Sequence, residues 1–408
     1  MARILGLSSG DPFSPRSYSG SARQLFRALQ RRGALGAAVD VDLSRPVQVL
    51  TRALEVARSG RVAARRLRGR WSPLAVGLRS ARAARALAGS GADAALMYGT
   101  DFHPAEVRGG AGVPVGAALD ATFAQIARAG EHDFGRLTPA EVSECVARQR
   151  SVFDRCDVIF PRTEWCAESL ERDYGVPPER LVVTGAGTNF DGPPPPREAH
   201  DGRTLLFVGR DWRRKNGPLV LDAFRRARSA RPDLRLVVVG PTEADPREPG
   251  VEWRGALDGD RRGELHNLYA EASLYLCPSR FEPFGIALLE AMAAGCPVVA
   301  LDRGAAREIV DHGRTGALLR DDAPGTLAEA ILHWTSDVQR LAAAGALAAS
   351  EVEARWGWDL AARRVEEALA GSTDGDGVGP LLQPRRAARR PRATTAAAAV
   401  PAAATRAD

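Results

Sequence analysis

Apolar positions in this chain come in short runs, separated by longer stretches where apolar residues recur every three or four positions. A run of about five apolar residues reads as a strand buried on both faces, and the longer period reads as an amphipathic helix. Strand-like runs fall at Arg3–Ser8, Ala94–Tyr98, Val113–Leu119, Val158–Pro161 and Arg180–Thr184, each followed by a loop and a helical pattern; the first such pattern covers Ser21–Arg32. This is the βαβ rhythm of a parallel sheet. It stops at Asp191-Gly-Pro-Pro-Pro-Pro-Arg-Glu-Ala-His-Asp-Gly202, a polar, proline-rich segment that reads as a stiff linker. The rhythm then restarts, with strands at 205–208, 235–239, 274–277 and 297–300 and helical patterns at 217–230, 263–272, 285–294 and 325–345.

The pattern predicts an α/β chain of two doubly wound domains, 1–190 and 203–350, on either side of a linker at 191–202. A last helix at 351–370 closes it, and 371–408 is a Gly-, Pro-, Ala- and Arg-rich tail with too little to bury for folding. In such folds ligands sit at the carboxyl ends of the strands, here in the cleft between the domains.

Composition narrows the class. A hydrophobic content of 45% and a charged content of 26% are those of a soluble globular protein. The first ten residues hold too short an apolar run for a signal peptide, and no stretch approaches the roughly 20 apolar residues that span a bilayer. The five cysteines are odd in number and lack CxxC spacing, which suits small buried hydrophobes in a reducing cytoplasm. None of the six histidines makes a metal-ligand spacing, and no structural metal is expected.

Charge is unevenly placed. The net +6 divides into +12 over residues 1–100 and −6 over the rest. Residues 45–85 hold 11 Arg against the single Glu55, with apolar residues and Trp71 interspersed. That suits an amphipathic helix at an anionic membrane surface, and equally a solvated helix in an arginine-biased chain. No reading motif or aromatic interleaving accompanies it, so nucleic acid is not an expected partner.

The same bias isolates one residue. Lys215 is the sole lysine beside 55 arginines, in the strand-end turn Gly209-Arg-Asp-Trp-Arg-Arg-Lys-Asn-Gly217. An ammonium is a compact point charge where a guanidinium is a planar fork, and a phosphate site can use both. A second strand-to-helix turn lies in Ser279-Arg-Phe-Glu-Pro-Phe-Gly-Ile286, with Glu282 in the loop, Pro283 and Gly285 setting the turn, and Glu290 in the second turn of the helix. A helix N-terminus offers free N–H groups to a phosphate, and a carboxylate can accept hydrogen bonds from both hydroxyls of a vicinal diol.

Arg210 and Lys215, followed by Glu282-x7-Glu290 with Pro-Phe-Gly inside it, resemble the retaining glycosyltransferases of the GT-B fold, family 4 (glycosyl transferases group 1). The resemblance is strong over 203–320, moderate over 150–190 (Arg155–Trp165 and Gly185-Ala-Gly-Thr-Asn189) and weak over 1–140. It implies two Rossmann-like domains facing each other across a cleft, and a metal-independent, hexosyltransferase-type activity (EC 2.4) that needs no cofactor beyond its nucleotide-sugar donor. Arg210 and Lys215 would hold the donor diphosphate, Glu282 the donor-sugar hydroxyls and Glu290 the ribose. The backbone of Phe284, Gly285 and Ile286 would line the sugar and phosphate pocket, and Gly20 would approach the diphosphate from the first domain. Relatives often carry Gly-Gly in that loop and a histidine after the fourth strand. Here Gly20 stands alone and Asp120 takes the histidine's place, as a site carboxylate or as a cap of the following helix. His103 is a candidate acceptor contact, and the stretch around Trp253-Arg-Gly-Ala256 a candidate for base recognition.

The expected function is transfer of a sugar from a nucleotide-sugar to an acceptor hydroxyl of unknown identity (a sugar, lipid-linked sugar or small molecule), in the cytoplasm or at the inner membrane face. The alternatives are a same-fold epimerase or phosphorylase and an inactive nucleotide-sugar-binding protein. A nicotinamide dehydrogenase is disfavoured because no GxGxxG follows the first strand.

Overall fold

The computed structural model describes residues 3–60, 69–102, 112–190, 192–197, 199–241, 248–257 and 261–371. His103, the centre of the Arg-rich stretch at 61–68 and the tail beyond Gly371 lie outside the described residues.

The first domain holds a parallel sheet of β1 (Ile4–Ser8), β2 (Leu35–Asp40), β3 (Ala94–Tyr98), β4 (Val115–Leu119) and β5 (Val158–Pro161), in the order β2-β1-β3-β4-β5. The second holds β6 (Thr204–Val208), β7 (Arg235–Val239), β8 (Val251–Gly255), β9 (Leu274–Cys277), β10 (Val298–Leu301) and β11 (Gly316–Leu319), in the order β11-β10-β9-β6-β7-β8. Every residue of β1, β3, β4, β5, β9 and β10 is buried, which is why these read as continuous apolar runs.

The strands that the apolar pattern does not announce, β2, β8 and β11, are all at sheet edges. β2 and β8, half exposed, lack the apolar run, and β11 is a short Gly-Ala-Leu-Leu. The expected strand at Arg180–Thr184 is corrected to an extended segment beside β5. It makes one bridge, Leu181 to Ile159, and the N–H groups of Val182 and Thr184 donate to Ile159 and Pro161. The single helix expected at 325–345 is two, Pro324–Thr335 and Val338–Arg355. Asp337 makes the break by accepting hydrogen bonds from the N–H groups of Gln339 and Arg340 at 2.9 and 3.1 Å, an N-cap inside an unbroken apolar periodicity.

The closing helix is Trp358–Gly371, and it returns to the first domain, against the helix Ser21–Arg31. Arg31 pairs with Asp359 and Arg32 with Glu366, while the Trp358 indole N–H donates to Thr188 O at 2.7 Å. One apolar cluster therefore runs from Phe26 and Phe160 through Phe190 and Trp358 to Tyr269 and Leu288, across both domains. The proline-rich segment is fastened near its far end. Arg197 donates to the carbonyls of Tyr269, Ala272 and Ala294, where two helices of the second domain end.

Candidate active site at the cleft

In the second domain the site begins at the ends of β6 and β9. Gly209 follows β6, and a Cβ there would stand 2.7 Å from Lys215 Cγ, so only a bare glycine lets the lysine stem cross the strand end. Asn216 closes the turn at φ +62°, a left-handed conformation that asparagine tolerates. Lys215 is thereby aimed at the loop after β9, where its ammonium pairs with Glu282. Their side chains are 12% and 13% exposed. Burial is the largest single effect and disfavours charge on both, but the partner's charge and hydrogen bond, with help from neighbouring groups, together outweigh it, so Lys215 titrates above the usual lysine range and Glu282 below the usual carboxylate range. Arg214, which the sequence did not single out, laces the two loops together: it donates to Phe281 O at 3.0 Å, and its own carbonyl accepts from the Arg280 N–H. Arg210 lies exposed in the same turn.

Gly285 caps the helix Ile286–Ala293 at φ +91°, and a Cβ on it would stand 2.7 Å from Leu288 Cδ1 and 3.2 Å from Glu282 Cγ. Phe284 is buried beneath the turn. Glu290, one turn further on, is buried and accepts from the Asn189 N–H at 3.2 Å, with the Arg262 guanidinium 3.6 Å away. Burial pushes its carboxyl up despite these partners. The expected base-reading stretch is edge strand β8, where Trp253 packs against Trp212 with ring centroids 5.5 Å apart; Gly255 and Ala256 end it at the sheet's carboxyl edge.

The first domain supplies the opposite wall. Tyr18, Ser19 and Gly20 are all left-handed, at φ +49°, +56° and +86°, just before the helix Ser21–Arg31. Two consecutive non-glycine residues there cost roughly 1–2 kcal/mol each. The Ser19 carbonyl accepts from the Asn189 side chain at 2.9 Å. Asn189 therefore ties the Gly20 loop to Glu290 across the cleft. The sequence flagged it only as the end of Gly185-Ala-Gly-Thr-Asn189.

Asp120 follows β4 and is not a helix cap. Thr122 caps the helix Phe123–Ala129, through a capping box with Gln125. Asp120 pairs instead with Arg162, whose side chain is 1% exposed and also donates to Tyr98 Oη and Gly185 O. A carboxylate bonded to a guanidinium on one side keeps lone pairs free to accept hydroxyl hydrogen bonds on the other.

The Arg-rich stretch divides into two. Arg79, 3% exposed, faces inward to Asp42 at 3.0 Å and to the buried Asp101 at 3.8 Å, and Arg70 reaches Asp101 at 2.7 Å. Burial alone would raise the Asp101 carboxyl, but the two guanidinia hold it below the usual range. These arginines are thus withdrawn from the expected membrane-facing set, whereas Arg45, Arg58, Arg82 and Arg85 remain exposed.

A third contact crosses the cleft. Glu308, from the second domain, accepts from the N–H groups of Glu164 and Trp165 at 2.9 and 2.7 Å, capping the helix Glu164–Tyr174 of the first. Burial, helped by Glu164 and Glu168, pushes the Glu308 carboxyl up to about 7, against the pull of the two N–H groups. A folded value above the unfolded one means that the folded state holds the extra proton. Stability from this group is then full below the ordinary glutamate range and falls as pH rises towards 7. The wild type should accordingly lose stability relative to Glu308→Gln between pH 5 and pH 8, by up to about 3 kcal/mol at roughly 1.4 kcal/mol per pK unit. Urea unfolding of both proteins at the two pH values measures it, and a difference that stays constant with pH would mean that Glu308 titrates normally.

Residues 202–337 match the family described as "Glycosyl transferases group 1". Among curated proteins the chain is 33% identical over 247 residues to the D-inositol 3-phosphate glycosyltransferase of Thermobispora bispora, covering 54% of this chain and 58% of that one. It is 31% identical over 258 residues to D-inositol 3-phosphate glycosyltransferase 1 of Catenulispora acidiphila, covering 57% and 60%. The chain spans a little over half the length of these relatives. Among solved structures it superposes on the sucrose-phosphate synthase of Thermosynechococcus elongatus with a TM-score of 0.69 at 15% identity, covering 91% of this chain and 99% of that one. A glycosyltransferase of Rickettsia africae gives a TM-score of 0.65 at 13% identity, covering 92% and 99%. An Anabaena protein solved with UDP and glucose gives 0.60 at 16%, covering 91% and 100%. With its two parallel sheets and these neighbours, the chain has the GT-B fold, and its residues 202–337 are similar to glycosyl transferases group 1.

Proposed function

We propose that the protein transfers a sugar, with retention at the anomeric carbon and without a metal ion, from a nucleotide-sugar to an acceptor hydroxyl, as a family 4 enzyme. One observation carries this reading. The sole lysine, Glu282, the Gly285 turn with its open helix N-terminus and Glu290 lie together at the carboxyl edge of the second sheet, with the Gly20 loop and Asp120 across from them. In this reading Glu282 holds the donor-sugar hydroxyls, Glu290 the ribose, and the backbone of Phe284–Ile286 the sugar and phosphates. Asp120 accepts from a sugar or acceptor hydroxyl. As the bond from the anomeric carbon to the diphosphate breaks, the acceptor oxygen bonds to that carbon. Its proton passes to the leaving diphosphate, whose growing charge Arg210 and Lys215 offset. The Anabaena neighbour's UDP and glucose make UDP-sugars the first donors to try. Acceptor-free hydrolysis screened over UDP-, GDP- and ADP-sugars should show turnover with one base; no binding and no turnover with any would overturn the transferase reading.

We also propose that the protein docks on anionic membrane through the helices Arg45–Ser59 and Pro73–Ala88, at the inner face of the cytoplasmic membrane. No helix among the described residues is long and apolar enough to cross a membrane. These two helices nonetheless expose Val49, Leu50, Leu54, Leu74 and Leu78, interspersed with Arg45, Arg58, Arg82 and Arg85. Exposed apolar side chains on helices that also expose arginines suit a headgroup layer. Flotation with phosphatidylglycerol liposomes should carry the wild type up at low salt, and Leu50→Asp/Leu54→Asp should abolish it. A protein that stays at the bottom at low salt has no such surface.

A further inference from the structure

A cavity of about 290 Å3 opens beside Glu282, between the domains. Arg128, Arg172 and Trp165 of the first domain line one side, and Arg280 and Arg303 of the second line the other. Arg128 and Arg172 both bind one carboxylate, Asp173, so that trio keeps a positive charge. Among the described residues Arg303 has only a distant partner, Asp322 at 3.9 Å, with both side chains about half exposed. No carboxylate among the described residues pairs with Arg280, and Glu282 is already matched by Lys215. With the Glu308 carboxylate that sits on the Trp165 N–H counted, five cations meet four carboxylates, so the recess keeps a surplus of positive charge.

The recess is held in shape by contacts unrelated to those charges. Glu308 caps the helix that carries Trp165 and Arg172. Trp165 packs edge-on against Phe281 at 5.9 Å, and Gly304, at φ +54°, lets its loop approach Glu282 so closely that a Cβ would stand 2.8 Å from the Glu282 carbonyl. Guanidinia are the fork-shaped donors that fit phosphate and carboxylate oxygens, and an indole suits the apolar face of a sugar or polyol ring. The volume is at the small end for a ligand pocket, suited to one ring bearing one charged group.

We infer that this four-arginine recess binds the oxyanion, phosphoryl or carboxyl, of an acidic acceptor and so holds the acceptor against the donor sugar at Glu282. The inference rests on the transferase reading and names its acceptor class. The acceptor, rather than the donor, is favoured because half of the lining comes from the first domain, while the nucleotide and diphosphate roles fall to the second.

The test uses inorganic phosphate as probe, by calorimetry at low salt, on the wild type, on Arg280→Gln/Arg303→Gln and on Lys215→Met. Both arginines are exposed, so the double variant should keep the wild-type melting temperature. Saturable phosphate binding in the wild type, weakened at least tenfold in the double variant and retained in Lys215→Met, supports the subsite. No saturable binding, or a loss in Lys215→Met with none in the double variant, overturns it, since phosphate then finds no site or only the diphosphate site. A donor arm compares hydrolysis of UDP-glucose and UDP-glucuronate by the wild type and the double variant. Equal wild-type and variant rates on both fit an acceptor site, whereas a selective loss on the uronate assigns the oxyanion to the donor and overturns the acceptor assignment. If the wild type hydrolyses no nucleotide-sugar, the transferase reading fails on that assay, while the phosphate titration still decides whether the recess is an anion site.

Discussion

Lys215→Ala is expected to lower kcat/KM for the nucleotide-sugar by about two to three orders of magnitude, the loss typical when a preorganised donor to a developing anion is removed. The ammonium is the compact cation of the turn, placed by the bare Gly209 and the left-handed Asn216. From its sequence position alone, such a change would leave folding intact. The ion pair with Glu282 says otherwise: alanine strands a buried carboxylate, and breaking a buried pair costs about 3–5 kcal/mol. The catalytic and structural parts separate in a cycle with Glu282→Gln. The double variant should recover most of the lost stability and none of the lost rate. Wild-type kinetics in Lys215→Ala would remove the lysine from the mechanism.

A second large effect on stability should come from Arg162. Its guanidinium is fully buried, paired with Asp120, bonded to Tyr98 and Gly185, and stacked 4.9 Å from the ring of Trp358. It therefore joins the ends of β4 and β5, the extended segment beside β5 and the closing helix at one point. Arg162→Met leaves Asp120, 34% exposed, unpaired and the Gly185 carbonyl with only the Thr184 hydroxyl as donor, for a loss of about 3 kcal/mol, the low end for a broken buried pair. At roughly 2–4 °C per kcal/mol for domains of this size, the melting temperature should fall by on the order of 10 °C. Arg162→Lys should recover little of it, because an ammonium cannot serve three partners from the fork's geometry. A melting temperature within about 2 °C of wild type for Arg162→Met would show that the network is dispensable.

How much of this was legible beforehand differs by element. The strand runs at Ile4, Ala94, Val158, Leu205 and Leu274 were plain because strands buried on both faces have no polar positions to interrupt them. β2, β8 and β11 were not, since an edge strand faces partners on one side and need not be apolar throughout. In the site, Glu282, Gly285 and Glu290 could be placed from their spacing, because a turn and the helix after it are local structures. Asn189, Arg162, Arg214 and Glu308 had no such local signal. Each acts through a carbonyl, amide or carboxylate from elsewhere in the chain.

By itself, then, the sequence determined the two parallel-sheet βαβ domains and the strand-end turns that carry Lys215 and Glu282. Burial periodicity and turn chemistry are set by near neighbours. The tertiary structure alone decided which charges meet. Asp120 and Arg162 are 42 residues apart, Lys215 and Glu282 are 67, and Trp165 and Glu308 are 143. Many arginines in the same composition could have made those pairs. Only the packing of the sheets and the return of the last helix turned Arg79 and Arg162 inward and left Arg280 and Arg303 facing the cleft.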